Sequence, residues 1–537
     1  MNTMTKLFTA LSILMLISCS SSSGSGDTAA PVWSVEMDFF RIENAAGLDP
    51  FVVNLTILRD GTPTAGLQPT ISLQRGSAST ITDQGDGSYF FQVTPTQTGE
   101  HEVTVSYEST SITRTPLVLK SVHADWNQPM AVAGLVNTAG YEDGVTITPD
   151  GQYLFVQTGP QYFSAYFVYL ESRANGGCGG DRLLLTVCRH LWLDTLPGPY
   201  TAPERPGFFD GRFSGTDFLH NSNAWGIGID QAPIFAYATM FYGFKKQPDG
   251  SFAEPFYIAF DDLNDAIASP FGMSFRMNTD GSATVVFAHN DGDASGFYDH
   301  DNDNNAITAD VDSSFDVYTI DITPGQNTNL GTYTIGQPPI RDPAFFPSEM
   351  IDLGKTGTEG IYGTQGNPHL YVLNDGSVHS IWTDDEYDVG DNPGDDSDAG
   401  FLSVYTLSAG TFPNGTWEKT VLPNTVINTG PMQRQPYFSG QGLFYTQDVD
   451  IRYSAYNGND TATDYANDTN WGIPVTILEK DLGDTPLGKI IAIGEPTVTD
   501  DNESLYFVYG YVRSVDPVTG ISDINMQAGF IERRKLN

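Results

Sequence analysis

Val53, Leu55 and Ile57 alternate with Asn54 and Thr56, and Tyr89, Phe91 and Val93 alternate with Phe90, Gln92 and Thr94. A period of two puts one set on each face of a pleated strand, so both runs are predicted as half-buried strands, the first closed by an Asp60-Gly61 turn. From His123 onward a different unit recurs, made of strand, polar turn and strand. It is clearest at 142–156 and 495–508, weaker at 435–445 and 367–381, and least regular at 223–229 and 270–287. A polar residue and often a proline enter the first strand, an Asp-Gly or similar turn reverses it, and an apolar and aromatic strand returns. Beyond the N-terminus no segment has a long helical period or the length of a membrane span. The pattern therefore predicts an all-β protein.

Composition agrees, with 55 Gly, 32 Pro and 12% aromatic residues among 537, enough chain for two or three domains. Two resemblances sharpen the picture. Residues 83–107, with Asp86-Gly-Ser-Tyr89 opening one strand and Gly99-Glu-His-Glu-Val-Thr-Val105 the next, resemble the end of a filamin-like or bacterial immunoglobulin-like module. This implies an immunoglobulin-like sandwich over 31–119, a type of domain that more often supports its neighbour than catalyses. The later repeat, best kept at Thr148-Pro149-Asp150-Gly151, resembles the Tol-B-like, WD40-like propeller repeat. That implies a β-propeller over 120–537. Six starts give six blades, with five or seven left open because 162–218 is long enough to hold another.

Leu7 to Ile17 is an apolar run preceded by Lys6, of signal-peptide length, and Leu16-Ile-Ser-Cys19 resembles a lipobox. The resemblance implies removal of residues 1–18, acylation of Cys19, a Ser/Gly tether over 19–30, and, with Ser20 following, a lipid anchor in a bacterial outer membrane. The formal net charge is −41. Nucleic acid and anionic polymers are poor partners for such a field, whereas calcium is a good one. Cys178 and Cys188 are an even pair in an exported chain and suggest one disulfide. Asp299, Asp301 and Asp303 place oxygen ligands at alternate positions, as a calcium loop requires. That loop resembles the first half of an EF-hand loop but has Asn304 at the usual glycine and Asp310 at position 12. The acidic run 384–398 is less regular and reads as solvated.

In a propeller the first strand of each blade faces the central channel, so Asp143, Asn223, Asn367, Gln435 and Glu495 are expected around one opening, with His369, Arg434 and His289 beside them. Such a ring could hold a sugar, a metal or only water. Asp143 with Glu495 would suit glycoside hydrolysis as a carboxyl pair, and His369 with Tyr437 and Arg434 would suit a lyase. No nucleophile elbow, Walker loop, dinucleotide fingerprint or metalloprotease motif is present, so no residue is assigned a catalytic role by motif. The leading expectation is a non-catalytic propeller that binds a protein or glycan partner. The competing one is a membrane-tethered glycan-degrading enzyme.

Overall fold

The computed structural model describes residues 30–44, 47–138, 141–159, 240–259, 271–290, 315–326, 328–329, 349–351, 353, 364–387, 399–430, 433–448, 450–481, 488–515 and 522–535. Among them the chain is nearly all β, with one short α-helix at Ala462–Tyr465 and a single 3-10 turn at Asp468–Asn470. The expectations for Cys19 and its tether, for Cys178 and Cys188, for Asn223 and for Asp299, Asp301 and Asp303 fall outside the described residues.

Residues 30–118 form a module of their own. Trp33–Arg41, Phe51–Arg59 and Ser88–Thr94 pair in one sheet, and Thr70–Leu73, Val103–Tyr107 and Thr110–Arg114 in another. The alternation read from the sequence decides which side chains go in. Val53, Leu55 and Ile57 and Tyr89, Phe91 and Val93 are all at most 1% exposed, and they pack with Val103 and Val105 of the second sheet. Each is the kind of burial that stabilises by about 1.5–3 kcal/mol.

The other described residues form five sheets, here I to V in chain order, antiparallel except where Thr328–Asn329 pairs in parallel with Phe252–Ala259 in sheet I. Their first strands are Tyr141–Ile147, Phe271–Met277, Thr364–Val372, Gln433–Phe438 and Ile490–Val498. These strands touch one another in cyclic order, that of sheet V returning to that of sheet I, so the five sheets surround a common axis. A separate apolar cluster fills each of the five joints: I to II around Phe155 and Phe275, II to III around Val286 and Ile381, III to IV around Trp382 and Phe438, IV to V around Phe444 and Leu505, and V to I around Val508 and Val156. The ring is closed at its seam by Met130–Ala131, which enters before sheet I yet pairs with Ser522–Glu532 at the outer edge of sheet V.

Five sheets stand among the described residues, against six starts counted in the sequence. Five of the predicted starts do open a sheet. The sixth start, at Asn223, lies outside the described residues. The first strands of sheets I and II are already in contact.

The N-terminal module is seated on this ring by buried polar contacts. Arg41 Nη2 donates to the carbonyls of His123 and Trp126 at 3.0 and 3.1 Å while Nη1 meets Asp49 Oδ2 at 2.5 Å, and Arg534 Nη2 donates to the Arg41 carbonyl at 2.9 Å. Farther along the interface Arg75 Nη1 reaches the Gly488 carbonyl at 3.2 Å.

Candidate functional site

Every first strand carries the same irregularity. Register shifts occur between Asp143 and Thr146, Phe271 and Ser274, Gly366 and His369, Arg434 and Tyr437, and Gly494 and Thr497. At the start of each bulge stands a left-handed residue: Gly144, Gly272, Asn367, Gln435 and Glu495, with φ between 42° and 59°. Such bulges turn the strand and aim its side chains toward the axis. Glutamine and glutamate are uncommon in this conformation, which costs about 1–2 kcal/mol, so something must hold them there.

What holds them is the neighbouring sheet. Gln435 Oε1 accepts from the Glu495 amide at 2.9 Å and from Thr446 Oγ1 at 2.8 Å, and Glu495 Oε2 accepts from the Val145 amide at 3.3 Å. Between sheets III and IV the acceptor is Asp384 Oδ2, which takes the Gln435 amide at 2.8 Å and is fixed by Asn367 Nδ2 at 2.7 Å. Asp384 was expected in a solvated acidic run; it is 3% exposed, and burial pushes its carboxyl up against the opposing pull of its two donors and of Arg434.

Two residues further along, a second belt crosses all five joints. Thr146 Oγ1 donates to the Met273 carbonyl. Ser274 Oγ bonds His369 Nδ1 at 3.2 Å, His369 Nε2 the Phe438 carbonyl at 2.9 Å, Tyr437 OH the Val498 carbonyl at 2.8 Å, and the Ile147 amide Thr497 Oγ1 at 3.4 Å. A carbonyl can only accept, so Nε2 of His369 carries the proton and Nδ1 takes the serine hydroxyl.

This arrangement corrects the lyase grouping. His369 is buried with both ring nitrogens bonded, its pKa lowered to about 4 by burial, and its ring lies 3.9 Å from that of Tyr437. The Tyr437 hydroxyl is itself pushed far up by burial and donates to a carbonyl. Both line the throat with their polar atoms engaged in bonds between sheets. A consequence follows for stability. The native state prefers neutral His369 while the unfolded chain titrates near its usual 6.5, so the unfolded state binds more protons between those values. Denaturant midpoints should therefore fall as pH drops from 6.5 toward 4, by an amount bounded at roughly 3 kcal/mol for this one group. His369→Asn should remove that part of the slope, and an unchanged slope would show that the imidazole is not held neutral.

The carboxyl pair has a different fate. Asp143 immediately precedes the left-handed Gly144, one position earlier than Glu495 in its own repeat, and the two carboxyl groups are hydrogen-bonded to each other. Two carboxylates cannot bond unless one carries a proton. Burial first, then the Asp143 charge and bond, hold Glu495 well above the usual carboxylate range, against the Gly144 and Val145 amides. Opposed glycosidase carboxyls stand about 5 Å or more apart, so these two are one proton-holding unit rather than acid and nucleophile on two sides of a bond. Glu142 beside them is fully buried, its oxygens taken by Thr138 N at 3.2 Å and Thr138 Oγ1 at 2.6 Å.

The throat between the five bulges is lined by three consecutive residues of each first strand, from Gly144-Val-Thr146 round to Glu495-Pro-Thr497, and encloses about 40 Å³. That admits a few water molecules and no sugar ring. Turns at one end of the ring are short, as in Thr148–Gln152, Asn278–Ser282 and Leu373–Ser377. The connections 160–239, 291–314 and 388–398 leave from the end where the first strands begin, whereas 456–474, which carries the short helix, leaves sheet IV from the other end. Among the described residues no group of three or more His, Cys, Asp and Glu side chains is arranged to hold a metal ion. His289 lies on the second strand of sheet II, Ala283–Asn290, and not on a first strand.

No family model and no curated protein matches the chain. Among solved structures it is similar to a protein of unknown function from Dyadobacter fermentans DSM 18053 (11% identity, TM-score 0.31, covering 92% of this chain and 94% of that one). It is also similar to a glycoside hydrolase (9%, 0.35, 78% and 95%) and to Trypanosoma rangeli sialidase in complex with the inhibitor DANA (9%, 0.28, 92% and 54%).

Proposed function

We propose that this chain is a lipid-anchored envelope protein whose five sheets form a β-propeller, and that it degrades a glycan at the end of the ring where the first strands begin. The observation that carries the reading is the Asp143–Glu495 pair. A carboxylic acid kept neutral beside an ionised carboxylate is the device that protonates a leaving oxygen, and perturbed carboxyls of this kind gather at functional sites. Glu495 is the proton donor; Asp143 holds its proton by charge and hydrogen bond. Since the throat excludes a sugar ring, the glycan lies across its mouth, over the half-buried pair. The anchor at Cys19, the Cys178–Cys188 disulfide and a calcium ion at Asp299, Asp301 and Asp303 belong to the same proposal and support an exported, tethered protein.

A binding-only reading is favoured by one observation: the other polar side chains of the two belts are engaged in joints between sheets. The two readings separate on a panel of neutral and charged polysaccharides offered to the detergent-solubilised protein, with reducing ends and unsaturated products measured alongside binding. Product formation supports degradation. Retained glycan without product from any member of the panel supports binding alone.

A further inference from the structure

Tyr509 OH lies 2.7 Å from Glu100 Oε1 of the N-terminal module and 2.8 Å from Gln527 Oε1 of sheet V. A phenol has one proton and cannot satisfy two bare acceptors. Turning the Gln527 amide over does not help, because its Nε2 donates to the Thr138 carbonyl at 3.2 Å and the reversed amide would oppose two carbonyl oxygens. The missing proton must be on Glu100. The contacts then run in one direction: Glu100 O–H to Tyr509, Tyr509 O–H to Gln527, Gln527 N–H to Thr138, and Thr138 N–H and O–H to the Glu142 carboxylate. Glu142 is followed by Asp143, which is bonded to Glu495.

We infer that the N-terminal module regulates the Asp143–Glu495 site through this relay, its seating on the ring fixing the start of the strand that carries Asp143. The inference rests on the functional reading of that pair. The groups facing Glu100 are Arg75, whose Nη1 bonds the Glu100 carbonyl at 3.2 Å, together with Glu102 and Tyr509, while Tyr511 and Glu142 face Tyr509. Burial raises Glu100, in line with the proton count. The hydrogen bond with Tyr509 and the charge of Arg75 oppose its neutral form, and Glu102 favours it. Tyr509, Gln527, Thr138 and Glu142 are thus positioning residues, since none of them touches the site's reacting atoms.

The test is hydrogen exchange on the full chain, read at the Val145 amide, which bonds Glu495 Oε2. Tyr509→Phe keeps the ring and removes the hydroxyl, so Val145 should exchange roughly fivefold to tenfold faster, the range expected for losing one neutral hydrogen bond. Glu100→Gln keeps a neutral donor toward Tyr509 and should leave Val145 as in the parent, whereas Glu100→Ala should match Tyr509→Phe. Should Tyr509→Phe not fold, the two Glu100 variants decide alone. Equal Val145 exchange in Glu100→Ala, Glu100→Gln and the parent would overturn the relay and leave the module a passive support. Because exchange is read without a substrate, this failure is separate from a failure to find glycan degradation.

Discussion

Gly272→Ala should cost roughly 3 kcal/mol of stability, as the sum of a left-handed alanine and an overpacked joint. At φ +59° an alanine is strained wherever it sits, and here its Cβ would lie 2.4 Å from Asn367 Cα and 3.0 Å from the Asn367 nitrogen. Those atoms are backbone of the adjacent first strand, held by the Asn367 bond to Asp384, so they cannot rotate away as a side chain would. Gly281→Ala is the control. It also has positive φ, but nothing lies within 4 Å of its Cβ, so only the conformational cost of about 1–2 kcal/mol remains. Urea midpoints of the two variants at unchanged slope measure the difference. If both lose the same amount, the first strands of sheets II and III do not approach as closely as described.

Glu495→Gln should lower glycan degradation by about 10²–10⁴-fold, the usual contribution of a positioned general acid. The amide can still accept from the Val145 amide and donate to Asp143, so glycan binding and folding should persist while proton transfer is lost. Asp143→Asn acts differently. It removes the charge that helps raise Glu495, so the carboxyl ionises at lower pH and the alkaline limb of the rate profile should move down in pH. A Glu495→Gln protein that keeps parental turnover would show that the acid lies elsewhere.

Much of this was legible in the sequence because turn chemistry and period are local. The alternation at Val53, Leu55 and Ile57 gave the buried face, and the turns at Asp150-Gly151, Asp280-Gly281 and Asp375-Gly376 marked where first strands reverse. Polar starts marked Asn367, Gln435 and Glu495 correctly as equivalent positions, but the same rule chose Asp143 in sheet I, where the left-handed position is the glycine beside it. Sheet II shows why the rule is imperfect: Gly272 needs no polar side chain because Asn367 packs against it. His369 and Tyr437 looked like chemistry because residue type does not reveal which carbonyl a side chain meets. Asp384 was hidden by its acidic neighbours. The contact of Glu100 with Tyr509 joins residues 409 apart, and no local pattern signals it.

Infrared spectroscopy of the carboxylic acid carbonyl band reads whether the Asp143–Glu495 pair holds a proton. With Glu495 raised by burial and by Asp143, a band is expected at pH 7 that is absent in Glu495→Gln and that titrates away at lower pH in Asp143→Asn than in the parent. A parent spectrum at pH 7 with no acid band that either Glu495→Gln or Asp143→Asn removes would contradict it, because two ionised carboxylates cannot be hydrogen-bonded to each other.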